Sequence, residues 1–217
     1  REGEPWPDGT DAFRKMLKEI CAAVVLSLAS GHTRAPPSLA IRGGGGKVNR
    51  GGATAVQPIT FADVQEALRT WCDGVIEIGQ VYQEGGDYRA VAIEMIESTY
   101  AFNLDLGKGN QVLFKPTKAH EHPLRSNFDE AVSYFAGAGK YSEDHGFAIQ
   151  PWSKIRFDIH GVFITGDSAI AMGHYMFTDA NTGAEVRVEY TFAYVRGPDG
   201  KLKIVLHHSS VPYNPGH

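Results

Sequence analysis

The chain has 217 residues, 42% of them apolar and 21% charged, which suits one packed domain with extensions and excludes wholesale disorder. Lysine and arginine number 21 against 25 aspartates and glutamates, and a net charge of −4 argues against a nucleic-acid binder, which carries a basic patch or stripe. Two cysteines, Cys21 and Cys72, are too few for a disulfide framework or a four-cysteine zinc site, and they leave the redox compartment open.

The chain opens on Arg1 rather than Met, so we read a processed product or a piece of something longer, with any targeting signal out of view. Residues 11–29 hold good helix formers, with Phe13, Met16, Ile20, Val24 and Leu28 at helical spacing. Their apolar stretch, Cys21 to Ala29, is far shorter than the roughly 20 residues of a membrane helix, so no membrane segment is expected. From Gly31 to Pro58 the composition turns to Pro36, Pro37, the run Gly43 to Gly46, and Gly51 with Gly52. Such a stretch buries too little to offset its ordering entropy and reads as a flexible linker. It lacks the G-x-x-x-x-G-K-[ST] spacing of a phosphate cradle. We therefore divide the chain into residues 1–59, helix plus linker, and residues 60–217, the compact domain.

Thr60 followed by Asp63 resembles a capping box, and Val64, Leu68, Trp71, Val75, Ile78 and Tyr82 recur at steps of four and three. That is one apolar face of a helix about five turns long. Gly85-Gly86 ends it, and a second helix from Asp87 turns Tyr88, Val91, Met95 and Phe102 inward, completing a helical hairpin. A turn over Gly107 to Asn110 leads to a short strand, Gln111 to Phe114, stopped by Pro116. Ser126 is the expected cap of a third helix, Asn127 to Ala136. From Lys154 the period becomes two, with Ile155, Phe157 and Ile159 alternating with Arg156, Asp158 and His160. Turns at Gly166-Asp167, Asn181-Thr182-Gly183 and Pro198-Asp199-Gly200 separate three further strands. Helices first and an antiparallel meander after them make an α+β fold, with the helices packed on one face of a strongly bent sheet.

The last strand carries the sharpest chemical signal. Leu202, Ile204 and Leu206 share a face by alternation, which His208 and Ser210 continue, while Lys203, Val205, His207 and Ser209 point the other way. A buried face that becomes imidazole and hydroxyl at its end is what the floor of a half-open pocket needs. The plainer reading makes His208 a core histidine paired with a carbonyl. Thr117, leaving a strand at the sheet rim, could present a hydroxyl or bond its own backbone. Tyr134 sits at the edge of the third helix's apolar stripe. His120-Glu121-His122 suggests a metal site, but neighbouring donors in a loop seldom converge on one ion, and no further ligand stands at standard spacing. Glu143-Asp144-His145 reads as a charged surface loop. No nucleophile-elbow pattern accompanies Ser210 and His208, so a serine hydrolase triad is not expected.

From about Thr60 to Pro212 the chain resembles the cone-shaped domain of nuclear transport factor 2-like (cystatin-like) proteins and of the association domain of calcium/calmodulin-dependent kinase II. Within that class, VLFKPTKA (Val112 to Ala119), YFAGAG (Tyr134 to Gly139), EDHGFAIQPW (Glu143 to Trp152) and HHSSVP (His207 to Pro212) are similar to the iota-class carbonic anhydrases. The resemblance implies reversible hydration of CO2 to bicarbonate, with no cofactor and no metal. It implies a pocket lined by Thr117, Tyr134, His208 and Ser210, the three hydroxyls holding the substrate. His208, at an ordinary histidine pKa of about 6.5, would accept the proton of the attacking water. It also implies a homodimer paired through exposed sheet faces, and tandem copies joined by segments such as residues 1–59. The compartment stays open between an algal plastid and a secretory route. Two rivals remain. A cone-fold isomerase would want a cavity carboxylate as base, and Asp158 alternates away from the inward positions. A non-catalytic association module would show no activity.

Overall fold

The computed structural model describes residues 57–105 and 112–215. The helix read over residues 11–29, nearly all of the Gly-rich linker, and the Gly107 to Asn110 turn lie outside the described residues. Helix α1 runs Phe61–Gln83, α2 Tyr88–Thr99 and α3 Phe128–Ala136. The strands are β1 Leu113–Lys115, β2 Trp152–Thr165, β3 Ser168–Asp179, β4 Glu185–Arg196 and β5 Leu202–Ser210.

The capping box at the start of α1 forms as its residue types require. The Thr60 amide donates to Asp63 at 2.8 Å and the Asp63 amide to the Thr60 hydroxyl at 3.2 Å. Arg196, at the end of β4, donates to Asp63 at 2.9 Å and to the carbonyls of Gln57 and Pro58, pinning the helix start to the sheet. Val64, Leu68, Trp71, Val75 and Ile78 are buried on one face as their spacing predicts, and Cys72 is buried beside them. Tyr82 is not: α1 has outrun the core there, and Tyr82 packs edge-on against Tyr88 at the surface. Helix α2 is capped by Asp87 and crosses α1 closely, since a Cβ on Gly74 would stand 2.5 Å from the Met95 side chain. Helix α3 takes Asn127 as its cap, one residue after the expected Ser126, because the Asn127 side chain accepts from the Glu130 amide at 3.1 Å.

The sheet order is β1-β5-β4-β3-β2. The expected four-stranded antiparallel meander is there, but the sheet is mixed, because β1 adds to its edge parallel to β5. Nothing in a three-residue strand announces its partner. Helix α1 packs on β2 and β5, and α2 packs on α1, α3 and β5. Bulges interrupt β2 and β5, where each locally bends its strand and increases the twist. Beside the bulge in β2, a Cβ on Gly173 would collide with the Asp158 carbonyl, so only glycine lets the strands close up there. The core is aromatic. Trp71 stacks on Tyr175 at 5.1 Å and meets Phe192 edge-on at 6.0 Å.

Candidate active site

The polar end of β5 lies on the inner face, but with the opposite parity from the one the alternation predicts. Tyr194 pairs with Ile204 and Ala193 with Leu206, so Val205 is an extra residue without a partner across the ladder. Up to Ile204 the inward positions are the expected ones. Beyond the bulge the strand is shifted by one, which exchanges its faces. His207 stands opposite buried Phe192 and Ser209 opposite buried Tyr190, and they are 2% and 4% exposed. His208 and Ser210 stand opposite Thr191 and Glu189, on the outer face beside His160, Met172 and His174. The assignment of His208 and Ser210 to the inner pocket is therefore corrected: the inward pair is His207 and Ser209. Because both residue types are doubled in HHSS, a slip of one position leaves the chemistry of the face unchanged.

Thr117 and Tyr134 do come to this pair. Pro116 ends β1, and the turn after it brings the Thr117 hydroxyl to Ser209 Oγ, donating at 2.8 Å. The next amide, Lys118 N–H, donates to the Tyr134 hydroxyl at 3.3 Å. One turn thus joins β5 to α3. Tyr134 is buried, not at the wet edge of its helix. Its ring stacks on Phe147 at 5.4 Å and meets Phe114 edge-on at 5.7 Å. Burial raises its phenol pKa above the usual value, opposed by the backbone N–H groups of Lys118 and Thr117, so the hydroxyl keeps its proton at neutral pH.

His207 is enclosed by aromatic side chains. Its ring lies 4.2 Å from that of Phe192 and stacks on Phe114 at 5.0 Å. Nδ1 is 2.7 Å from the Tyr100 hydroxyl, which accepts from Trp71 Nε1 at 3.0 Å. Nε2 is buried with no partner among the described residues. Burial, with a smaller contribution from adjacent His208, holds the imidazole pKa down to about 3. Trp71 was legible only as a core residue and Tyr100 was not singled out, because nothing local in sequence links either of them to His207.

A cleft of about 420 Å³ opens beside Tyr134, walled by Lys118, Glu143, His145 and Gln150. The two charged motifs shape its rim. Glu143 accepts from the backbone amides of His120, Glu121 and His122 at 2.8, 3.0 and 2.8 Å, and these hold its carboxyl pKa down to about 2. The His-Glu-His loop is therefore used through its backbone, and the His122 ring stacks on Tyr141. Asp144, expected on a surface loop, is buried. It takes a 2.7 Å ion pair from buried Arg125 and a 2.6 Å hydrogen bond from Ser133. Among the described residues no group of three or more His, Cys, Asp or Glu is placed to hold a metal ion.

Chemically, the inner face presents three neutral donors whose far sides are already engaged. Tyr134 oxygen accepts from Lys118, Ser209 oxygen from Thr117, and His207 Nδ1 contacts Tyr100. Tyr134 and Ser209 each keep a hydroxyl proton free to donate, and none of the three groups carries a charge at neutral pH.

Known proteins supply the comparison for this arrangement. A metal-independent carbonic anhydrase from Nostoc sp. is 34% identical over 159 residues, covering 71% of this chain and 75% of that protein. The crystal structure of an iota-carbonic anhydrase from a cyanobacterium, complexed with bicarbonate, superposes with a TM-score of 0.67 at 33% identity, covering 72% of this chain and 94% of the other. A nuclear transport factor 2-like superfamily protein from Salmonella enterica serovar Typhimurium is 12% identical with a TM-score of 0.45, covering 71% and 92%. The α+β class expected from the sequence, helices followed by an antiparallel meander, is the fold found, and it is shared with the cyanobacterial iota-carbonic anhydrase. The family profile of metal-independent carbonic anhydrases spans residues 62–211, from the first turn of α1 past the end of β5. With that span holding every element that builds the pocket, and with the 34% identity beside it, the chain belongs to the metal-independent carbonic anhydrase family.

Proposed function

We propose that the chain hydrates CO2 reversibly to bicarbonate without a metal, in the pocket formed by Thr117, Tyr134, His207 and Ser209. The observation that carries this reading is the 2.8 Å contact between Thr117 and Ser209, tied through the Thr117-Lys118 turn to the Tyr134 hydroxyl. The family name and the bicarbonate in the cyanobacterial relative's crystal structure support the substrate.

The chemistry is a single addition. A water oxygen forms a bond to the carbon of CO2, one O–H bond of that water breaks, and one C=O pair becomes the charge of bicarbonate. Bulk water, with a pKa of about 15.7, resists that loss of a proton. Serine and threonine hydroxyls both accept and donate, so with the two hydroxyls rotated from their resting direction Ser209 Oγ takes the proton of the attacking water and gives its own to Thr117, whose hydroxyl releases one to solvent at half-buried Thr117. The negative charge grows on an oxygen that Tyr134 O–H and His207 Nε2–H can meet. Fixed donors of this kind are worth roughly 10²–10³ each in kcat in other enzymes. His207 is a neutral donor here, because its pKa near 3 keeps it unprotonated and makes it a poor acceptor at pH 7.

The decisive experiment is a stopped-flow CO2 hydration assay on the purified chain, repeated with Ser209→Ala and Tyr134→Phe. Activity in the parent chain, lost in both variants, supports the reading. No activity above buffer would make the domain an association module.

We further propose that two copies pair through the outer sheet face. Leu113, Leu206, Ala193, Ile170 and Phe163 are consecutive lateral partners across all five strands, forming an apolar row. Phe163 is 65% exposed in the isolated chain. A stable interface covers about 800 Å² per partner, which a five-stranded sheet face can provide. Sedimentation equilibrium should give a dimer, converted to monomer by Ile170→Asp.

A further inference from the structure

We infer that Tyr100, oriented by Trp71, fixes His207 in its Nε2–H tautomer, so that the imidazole donates to the reacting oxygen and does not take the proton of the attacking water. The inference rests on the pocket reading above and adds two positioning residues to it.

Indole Nε1 can only donate. At 3.0 Å from the Tyr100 oxygen, Trp71 therefore obliges that oxygen to accept. The phenol has one proton, and its second polar neighbour is His207 Nδ1 at 2.7 Å. If His207 donated from Nδ1, the phenol oxygen would accept twice and its own proton would be stranded. Among the described residues the remaining ring neighbours of Tyr100 are Phe102, Phe114 and Phe135, whose side chains offer no acceptor. An unpaired O–H at a fully buried position carries the whole desolvation penalty. The arrangement that satisfies every group has Trp71 donating to Tyr100 and Tyr100 donating to Nδ1. A neutral imidazole that accepts at Nδ1 carries its proton at Nε2. That nitrogen is buried and lacks a partner among the described residues, so it is a donor awaiting an oxygen.

Three elements supply this chain: Trp71 from α1, Tyr100 after α2 and His207 from β5. The side chains packed on the imidazole, Trp71, Tyr100, Phe114 and Phe192, are uncharged, and the titratable neighbour on its own strand is His208. Protonation would add a second N–H at Nδ1, facing a phenol already committed to donating. The geometry thus opposes a base at this position independently of burial.

The test is nitrogen NMR on the whole chain with 15N-labelled histidine, His207 being assigned by the signals lost in His207→Gln. The expected spectrum has a protonated Nε2 and an unprotonated Nδ1, unchanged from pH 5 to pH 9. A proton on Nδ1, or titration with a midpoint near 6.5, would overturn the inference without any appeal to activity. Tyr100→Phe removes one oxygen atom and should let both tautomers appear, while kcat for CO2 hydration falls tenfold or more and KM changes less than threefold. Trp71→Phe, which frees the phenol to reorient, should mix the tautomers less completely. A folded Tyr100→Phe protein with the single Nε2–H signature and full activity would equally sink it. An inactive parent chain that still shows the Nε2–H signature would count against donation to a reacting oxygen and leave the tautomer assignment standing. An active chain with Nδ1–H would remove the assignment alone.

Discussion

Thr117 and Ser209 meet hydroxyl to hydroxyl at 2.8 Å, although 92 positions separate them in the chain. The contact exists because β1 runs parallel to β5 and ends at Pro116, which turns the next residue over the sheet edge. Ser209 uses its oxygen to accept from Thr117 and keeps its proton for the pocket. Ser209→Ala should therefore lower kcat/KM for CO2 hydration tenfold or more, about 1.4 kcal/mol of transition-state stabilisation. Ser210→Ala, half-buried on the outer face and away from the Thr117 contact, should change it less than about twofold. Equal losses in the two variants would mean that the bulge at Val205 is not where the ladder places it.

The pH dependence of stability has a definite sign. His207 takes up its proton at about 3 in the folded protein, against 6.5 ordinarily, so the unfolded chain binds more protons between those values. Stability is then lost as pH falls from about 6.5 toward 3 and is insensitive to this group above 6.5. Glu143 adds a second loss lower down. With its carboxyl at about 2 against 4.5, its contribution is complete above 4.5 and fades as pH falls toward 2. Urea midpoints measured across pH 3 to 8 should decline below pH 6.5, and His207→Gln should flatten the segment between 6.5 and 4.5.

The ion pair behind the rim makes its own prediction. Arg125 and Asp144 have fully buried side chains 2.7 Å apart, and Asp144 also accepts from Ser133. Asp144→Ala leaves the buried guanidinium only its longer, 3.6 Å pair with Glu143, so the loss should lie toward the lower end of the roughly 3–5 kcal/mol that breaking a buried pair costs. Chemical denaturation should show a loss of that order. Glu143→Gln, nearer the surface, should cost much less while loosening the His120 to His122 loop, visible as faster amide exchange at those positions.

Activity should survive removal of metals. Protein stripped with a strong chelator and returned to metal-free buffer is expected to hydrate CO2 at its original rate, with zinc or manganese adding little. Loss on chelation, restored by one equivalent of metal, would direct attention back to the rings of His120 and His122.

Much of this architecture was legible because it is local. The steps of four and three from Val64 to Ile78 specify a helix face whatever that face meets, and the Thr60 and Asp63 cap is complete within four residues. The hairpin turns were equally local, and left-handed Gly166, Gly183 and Gly200 sit in them as glycine must. Thr117 and Tyr134 were visible as a rim hydroxyl and a stripe-edge phenol, only the family resemblance joined them in one pocket, and the fold brings them to one turn.

The parity of β5 belongs to the pair of strands. The tail HHSS reads equally well in either phase, and only hydrogen bonding to β4 decides that Val205 is passed over. Once it is, His207 and Ser209 turn inward in place of His208 and Ser210. The Trp71–Tyr100–His207 chain is less visible still, since each member alone is an ordinary buried ring. The sequence by itself determined which elements form and which residue types, an imidazole and a hydroxyl, end the last strand. Only tertiary structure decided which copy of each faces the pocket, because a side chain's face depends on the register of a neighbouring strand, and register is a property of no single segment.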